Sequence, residues 1–187
     1  MKVKPANKTG AVTLQLSRRD EPLLNAATGP ALNSSFRLKR ILVPIDFSDC
    51  SRKALQYALP LAKEHQAAIT LLYVAAPACG AGEYGAVDYG QWETSMKDSG
   101  ANELAKLARD QIRGQVSANT LVCVGSPAWE IVEVARSLPA DLIVISTHGR
   151  TGLKHVVLGS VAEQVVQRAP CPVLVVRECE REILASS

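Results

Sequence analysis

No stretch of this sequence stays apolar for the ~20 residues that a bilayer-crossing helix needs. The first residues place Lys, Asn, Thr and Pro where a secretory signal would have an apolar core, so no export signal is legible. The five cysteines, Cys50, Cys79, Cys123, Cys171 and Cys179, form no C-x-x-C pair, and no histidine stands at ligand spacing beside one. That argues against a zinc site, and reduced thiols in a cytoplasmic protein are the expectation. Basic residues exceed acidic ones by only 21 to 18, without the basic stripe a nucleic-acid partner would want. Many of the excess cations fall in the first 40 residues, as in a mildly basic tail. Catalytic signatures are missing too. Ser146 is not in a G-x-S-x-G context, no GKS/T P-loop or GxGxxG fingerprint occurs, and no paired carboxylates suggest acid–base work. No internal repeat or heptad is visible.

What is present is an α/β pattern. At 187 residues, 47% hydrophobic and 4% aromatic, the chain is long enough for one domain built on Val, Ile, Leu and Ala. Residues 1–35 mix Pro, Asn, Gly, Ser and charge around one alternating patch, Val12 to Leu16. The patch could be an added edge strand, but the expectation is a flexible N-terminal extension, a domain over 36–178 and a tail over 179–187.

Within that domain, Ile41 to Asp46 reads as the first strand, with Pro44 requiring it to be short or unpaired near its end. Phe47 to Ser51 supplies turn and cap residues. Ala54, Leu55, Ala58, Leu59 and Ala62 then recur at helical spacing between Arg52 and His65, with a kink expected at Pro60. Ala68 to Val74 is strand two and Ala75 to Gly90 a long loop. A helix over Gln91 to Arg113, strand three at Thr120 to Val124, and a helix opened by Ser126-Pro127 follow. Leu142 to Ile145 is a buried strand, and Pro172 to Val176 the last one. Five strands alternating with helices predict an α/β fold, a five-stranded parallel sheet with helices on both faces. Ligands of such sheets bind beyond the strand C-termini, where the winding reverses.

The most informative stretch is Ala140 to Arg177. A strand there runs into the polar loop Ser-Thr-His-Gly-Arg-Thr-Gly (146–152), and Gly159-Ser160 opens a helix. Ser160 and Glu163 stand at capping-box spacing. Strand, glycine loop and helix N-terminus make an anion cradle. Asp46, at the end of strand one, reads as a helix cap or turn residue, or as a carboxylate accepting from a ribose hydroxyl or adenine amino group. His148 reads as a turn residue or a site residue.

Residues 36–178 resemble the universal stress protein family. The resemblance is carried by Val43-Pro-Ile-Asp-Phe-Ser48, Thr147-His-Gly-Arg-Thr-Gly152, Leu153 to Ser160, and Ala169-Pro-Cys-Pro-Val-Leu-Val-Val-Arg177. Nucleotide-binding members carry G-x2-G-x9-G-[S/T]. Gly149, Gly159 and Ser160 match it, and Ser146 stands at the first glycine. The resemblance implies a Rossmann-like sheet of order 3-2-1-4-5 and adenine-nucleotide binding (ATP, or AMP or ADP), with Mg accompanying ATP. It places Asp46 at the ribose or adenine, Pro44 and Ser48 beside it, and the Val74 backbone at adenine. Ser146, His148, Gly149, Gly159, Ser160 and Val161 would line the ribose and phosphates, with Arg150 adding charge or facing solvent. It also implies a homodimer paired through strand 172–176. The expectation is a cytoplasmic regulatory stress-response protein, at most a slow ATPase, without catalytic or metal-ligating residues and without nucleic-acid or membrane partners. The alternatives are a dimeric interaction protein on the same scaffold without nucleotide, and a true enzyme.

Overall fold

The short runs rich in Val, Ile and Leu form strands, and the segments of helical spacing form the helices between them. The computed structural model describes residues 2–5, 12–15, 37–76, 89–147 and 158–177. In chain order these are β1 (Arg40–Pro44), α1 (Asp49–His65), β2 (Ala68–Ala75), α2 (Tyr89–Leu107), β3 (Ala118–Val124), α3 (Pro127–Ser137), β4 (Leu142–Ser146), α4 (Ser160–Arg168) and β5 (Val173–Val176). All five strands are parallel, in the order β3-β2-β1-β4-β5. The winding therefore reverses between β1 and β4, as the sequence led us to expect.

The sheet is covered on both faces, and strand alternation decides which residue goes where. Ile41 and Val43 of β1 and Leu142 and Val144 of β4 pack with Ala54, Leu55 and Ala58 of α1 and Leu104 of α2. Leu42, Ile143 and Ile145 point the other way and pack with Ile131 and Ala135 of α3 and Ala162 and Val165 of α4.

The two central strands are fastened at one end and split at the other. At the start, the Asp141 carboxylate accepts from the backbone N–H groups of Lys39 (2.9 Å) and Arg40 (2.8 Å). The Arg40 guanidinium also donates to the Pro139 carbonyl at 2.8 Å. Towards the other end β1 stays in register with β2 as far as Pro44↔Leu72, whereas its pairing with β4 stops at Leu42↔Ile143. The Ile45 N–H donates to Leu72 of β2 at 2.8 Å, so by alternation the donor that Pro44 lacks falls on the β4 side. Pro44 lies where the ladder with β4 has already ended.

Val12–Gln15, one strand in the N-terminal region, pairs antiparallel with Lys2–Pro5 in a two-stranded sheet. One local expectation is corrected: the helix expected to end at Arg113 is α-helical only to Leu107 and closes as a π-helical turn, Ala108–Ile112.

Candidate functional site

Beyond β1 the backbone makes a tight, fully used turn. Asp46 Oδ1 accepts from the Ser48 backbone N–H (3.1 Å) and from the Ser48 hydroxyl (2.5 Å), so one side of the carboxylate is fixed by its own turn. Ser48 is also the N-cap of α1, its Oγ accepting from the Ser51 N–H at 3.2 Å. Ser51 is buried, and its hydroxyl donates to the Ser48 carbonyl at 3.0 Å. Phe47, in the middle, has φ of 65° and makes a tilted ring contact with Tyr73 of β2, with centroids 4.9 Å apart and an interplanar angle of 46°.

A second segment meets this turn across the split. Thr147, just past β4, is buried and donates its N–H to Val176 of β5 at 2.9 Å. Its carbonyl accepts from the Gly159 N–H at 2.8 Å. This bond brings the end of β4 to the start of α4, so Ser146, Thr147, Gly159 and Ser160 become neighbours. Gly159, with φ −68° and ψ 151°, is the N-cap of α4. The expected capping box is therefore absent: Ser160 is the first helical residue, its side chain caps nothing, and the Glu163 N–H bonds to the Gly159 carbonyl at 2.9 Å. The consequence is functional. The N–H groups of Ser160, Val161 and Ala162 have no intrahelical acceptor and form the positive end of the helix dipole.

Between the two segments lies a crevice of about 580 Å³ straddling the C-terminal edge of the sheet. Of the residues singled out in the sequence, Pro44, Asp46, Val74, Ser146, Gly159, Ser160 and Val161 line it. Ser48 does not; it acts behind Asp46 as the residue that orients the carboxylate. His148, Gly149 and Arg150 lie outside the described residues. Sequence reasoning missed the apolar walls, Tyr73 and Met96 on one side and Pro127 and Ile131 on the other, as well as buried Ser51 and Thr147. Pro127 was within reach: as the first residue of a helix that follows a strand, it had to stand at the same sheet edge as Asp46. Met96 had no local signal, being one apolar residue in α2.

A parallel α/β sheet with its crevice at the reversal point, a helix N-terminus on one side and an oriented carboxylate on the other, is a Rossmann-like α/β architecture, in which small ligands characteristically bind beyond the strand C-termini. Comparison with known proteins identifies the lineage. The model of the Universal stress protein family matches residues 37–177, and the chain belongs to that family. Universal stress protein MJ0531 of Methanocaldococcus jannaschii is 40% identical over 149 residues, covering 77% of this chain and 85% of that protein. The solved structure of universal stress protein UspA from Lactobacillus plantarum superposes with a TM-score of 0.64 at 32% identity, covering 75% of this chain and 99% of that one. Two further structures share the fold, each with a TM-score of 0.52, at 25% and 24% identity respectively. They are a universal stress protein in complex with cAMP, covering 76% of this chain and 99% of its own, and one from Archaeoglobus fulgidus in complex with dAMP, covering 75% and 98%.

Proposed function

We propose that this chain is a regulatory stress-response protein that binds an adenine nucleotide in the crevice between β1 and β4. The observation that carries the reading is the meeting of Asp46 with the unpartnered first-turn amides of α4 across one apolar-walled crevice. The base lies between Tyr73 and Met96 on one side and Pro127 and Ile131 on the other, and meets the Val74 backbone. Asp46 accepts from a ribose hydroxyl. The amides of Ser160 and Val161 and the Ser160 hydroxyl receive the phosphates, and the family resemblance assigns His148, Gly149 and Arg150, outside the described residues, to the same role. Magnesium would come in with the phosphates of ATP. Hydrolysis is at most slow, and occupancy is the signal. That two proteins of this fold are complexes with cAMP and dAMP is in keeping with the reading.

The same reading includes a cytoplasmic homodimer. Among the described residues β5 pairs with β4 alone, and its Val-Leu-Val-Val sequence is the kind of edge that needs covering. Among the described residues no helix is long and apolar enough to cross a membrane.

The test is to purify the protein natively, identify any released small molecule by mass spectrometry, and titrate ATP, ADP and AMP by calorimetry. Micromolar binding of one of them, absent for a pyrimidine nucleotide, is the expected result. A nucleotide-free protein whose melting temperature ignores all three refutes it. That outcome favours a nucleotide-free interaction protein, a reading suggested by the Ser146 side chain in the crevice where the family motif has glycine.

A further inference from the structure

Three residues other than glycine have positive φ among those described: Phe47, Gln66 and Arg113. Gln66 and Arg113 are helix C-caps, where the left-handed conformation is routine. Phe47 has no such excuse. It sits between Asp46 and the N-cap of α1, and a bulky side chain at φ of 65° is held against a steric penalty. Strain of this kind persists only where the surroundings over-determine it.

We propose that Phe47 is a positioning residue for Asp46, its left-handed backbone aiming the carboxylate into the crevice and its ring, clamped on Tyr73, keeping the turn from relaxing. Two donors to Asp46 Oδ1 belong to Ser48, the residue that Phe47's backbone delivers. If Phe47 returned to negative φ, the Ser48 N–H would swing away and the carboxylate would lose its orientation. Two contacts oppose that return: the ring pair with Tyr73 at 4.9 Å and the Arg52 guanidinium donating to the Phe47 carbonyl at 3.4 Å. Tyr73 is itself seated by Gly100 of α2, where an added Cβ would come within 2.5 Å of the Tyr73 ring. Tyr73 also walls the crevice, so whatever fills the crevice presses on the clamp that orients Asp46.

The decisive comparison is Phe47→Ala against Phe47→Gly. Both remove the ring, but only alanine keeps the left-handed penalty, so the smaller deletion does the greater harm. In ligand-free protein, amide exchange at Ser48 is expected to be about tenfold faster in Phe47→Ala than in Phe47→Gly. A residue that merely packs gives the reverse order, and that order, or unchanged Ser48 exchange in both variants, overturns the proposal. Should Phe47→Ala not fold, Gly100→Ala carries the test. It leaves Phe47 intact and displaces Tyr73, so Ser48 exchange rises; a Tyr73 ring that shifts while Ser48 stays protected overturns the proposal. The consequence for binding rests on the nucleotide reading above. There the preference for AMP over 2′,3′-dideoxy-AMP falls in Phe47→Ala to the level of Asp46→Asn and is largely kept in Phe47→Gly. Wild-type protein that binds no AMP removes the nucleotide reading alone, because the exchange order is measured without ligand.

Discussion

Proline placed at residue 160 separates the backbone of α4 from its side chains as the source of anion binding. Proline is well tolerated at the first helical position, where its φ suits the helix and its missing N–H has no intrahelical role. It also requires the preceding residue to be extended, and Gly159 already is, at φ −68° and ψ 151°. The bonds that the first turn makes to carbonyls survive, since the Glu163 backbone N–H uses the Gly159 carbonyl and the Gln164 side-chain amide donates to the Ser160 carbonyl (3.2 Å). Ser160→Pro should therefore melt within about 1 kcal/mol of wild type, against the ~3 kcal/mol a proline costs inside a helix. What it removes is one amide donor and one hydroxyl at the mouth of the crevice. A hydrogen bond to a charged group is worth about 1.5–3 kcal/mol, so AMP and ATP should bind roughly 10- to 100-fold more weakly. Ser160→Ala, which loses only the hydroxyl, should cost less than tenfold. Calorimetric titration of both variants, with thermal melts alongside, makes the measurement. A folded Ser160→Pro that binds like wild type would show that the α4 amides do not hold the phosphates.

Four other outcomes are expected. Pro44→Ala restores a donor facing β4, so the new residue 44 amide should exchange slowly and nucleotide affinity should fall several-fold as the split narrows; fast exchange with unchanged affinity would acquit Pro44. Asp141→Ala frees the N–H groups of Lys39 and Arg40 at a partly exposed site, and should cost about 1 kcal/mol by thermal or denaturant melt. Carbonyls of Pro172 and Val176 face β4, so Val175 directs its N–H outward. Val175→Pro should turn the proposed dimer into a monomer by light scattering without breaking the β4–β5 ladder. Burial pushes the thiols of Cys123 and Cys171 above the ordinary 9.0, with nearby Glu130 and Asp141 respectively adding to the shift. The native state then holds these protons more tightly than the unfolded chain. Their contribution is full below pH 9.0 and is lost as pH rises through the native values, so stability should decline above 9.0, and less in a Cys123→Ala, Cys171→Ala double variant.

The strands were legible because each is a short β-branched or leucine-rich run bounded by Gly, Pro or Asp, and the faces because alternation is strict: Ile41 and Val43 against Leu42. The order of the strands was not carried by periodicity at all. It came from the resemblance, since any alternation of strands and helices allows several windings. The capping box failed because Ser160 and Glu163 have the right spacing, yet Gly159 bonds to Thr147 and takes the cap itself. Spacing along the chain cannot register a bond to the far end of a loop. Phe47 escaped for a related reason. Nothing in Asp-Phe-Ser marks a left-handed residue, and a bulky aromatic is the residue that local propensity would place there last. What makes it tenable is Tyr73, 26 positions further on in a neighbouring strand.

The crevice itself can be derived from two residues. A parallel sheet of β1 and β4 would close over its whole length if nothing interfered, leaving no room at the reversal point. Asp141 secures the opening of the pair by taking two β1 amides on one carboxylate, so that end cannot slide. Pro44 then denies β4 a donor at the other end, and the strands part after Leu42↔Ile143. With one end pinned and the other unable to bond, the gap opens only towards the C-terminal edge. Asp46 and Ser160 reach that edge from opposite sides. Moving the proline one residue along the chain would direct its missing donor to β2 and leave β4 free to pair. The position of Pro44, more than its presence, is what sets the site at this edge.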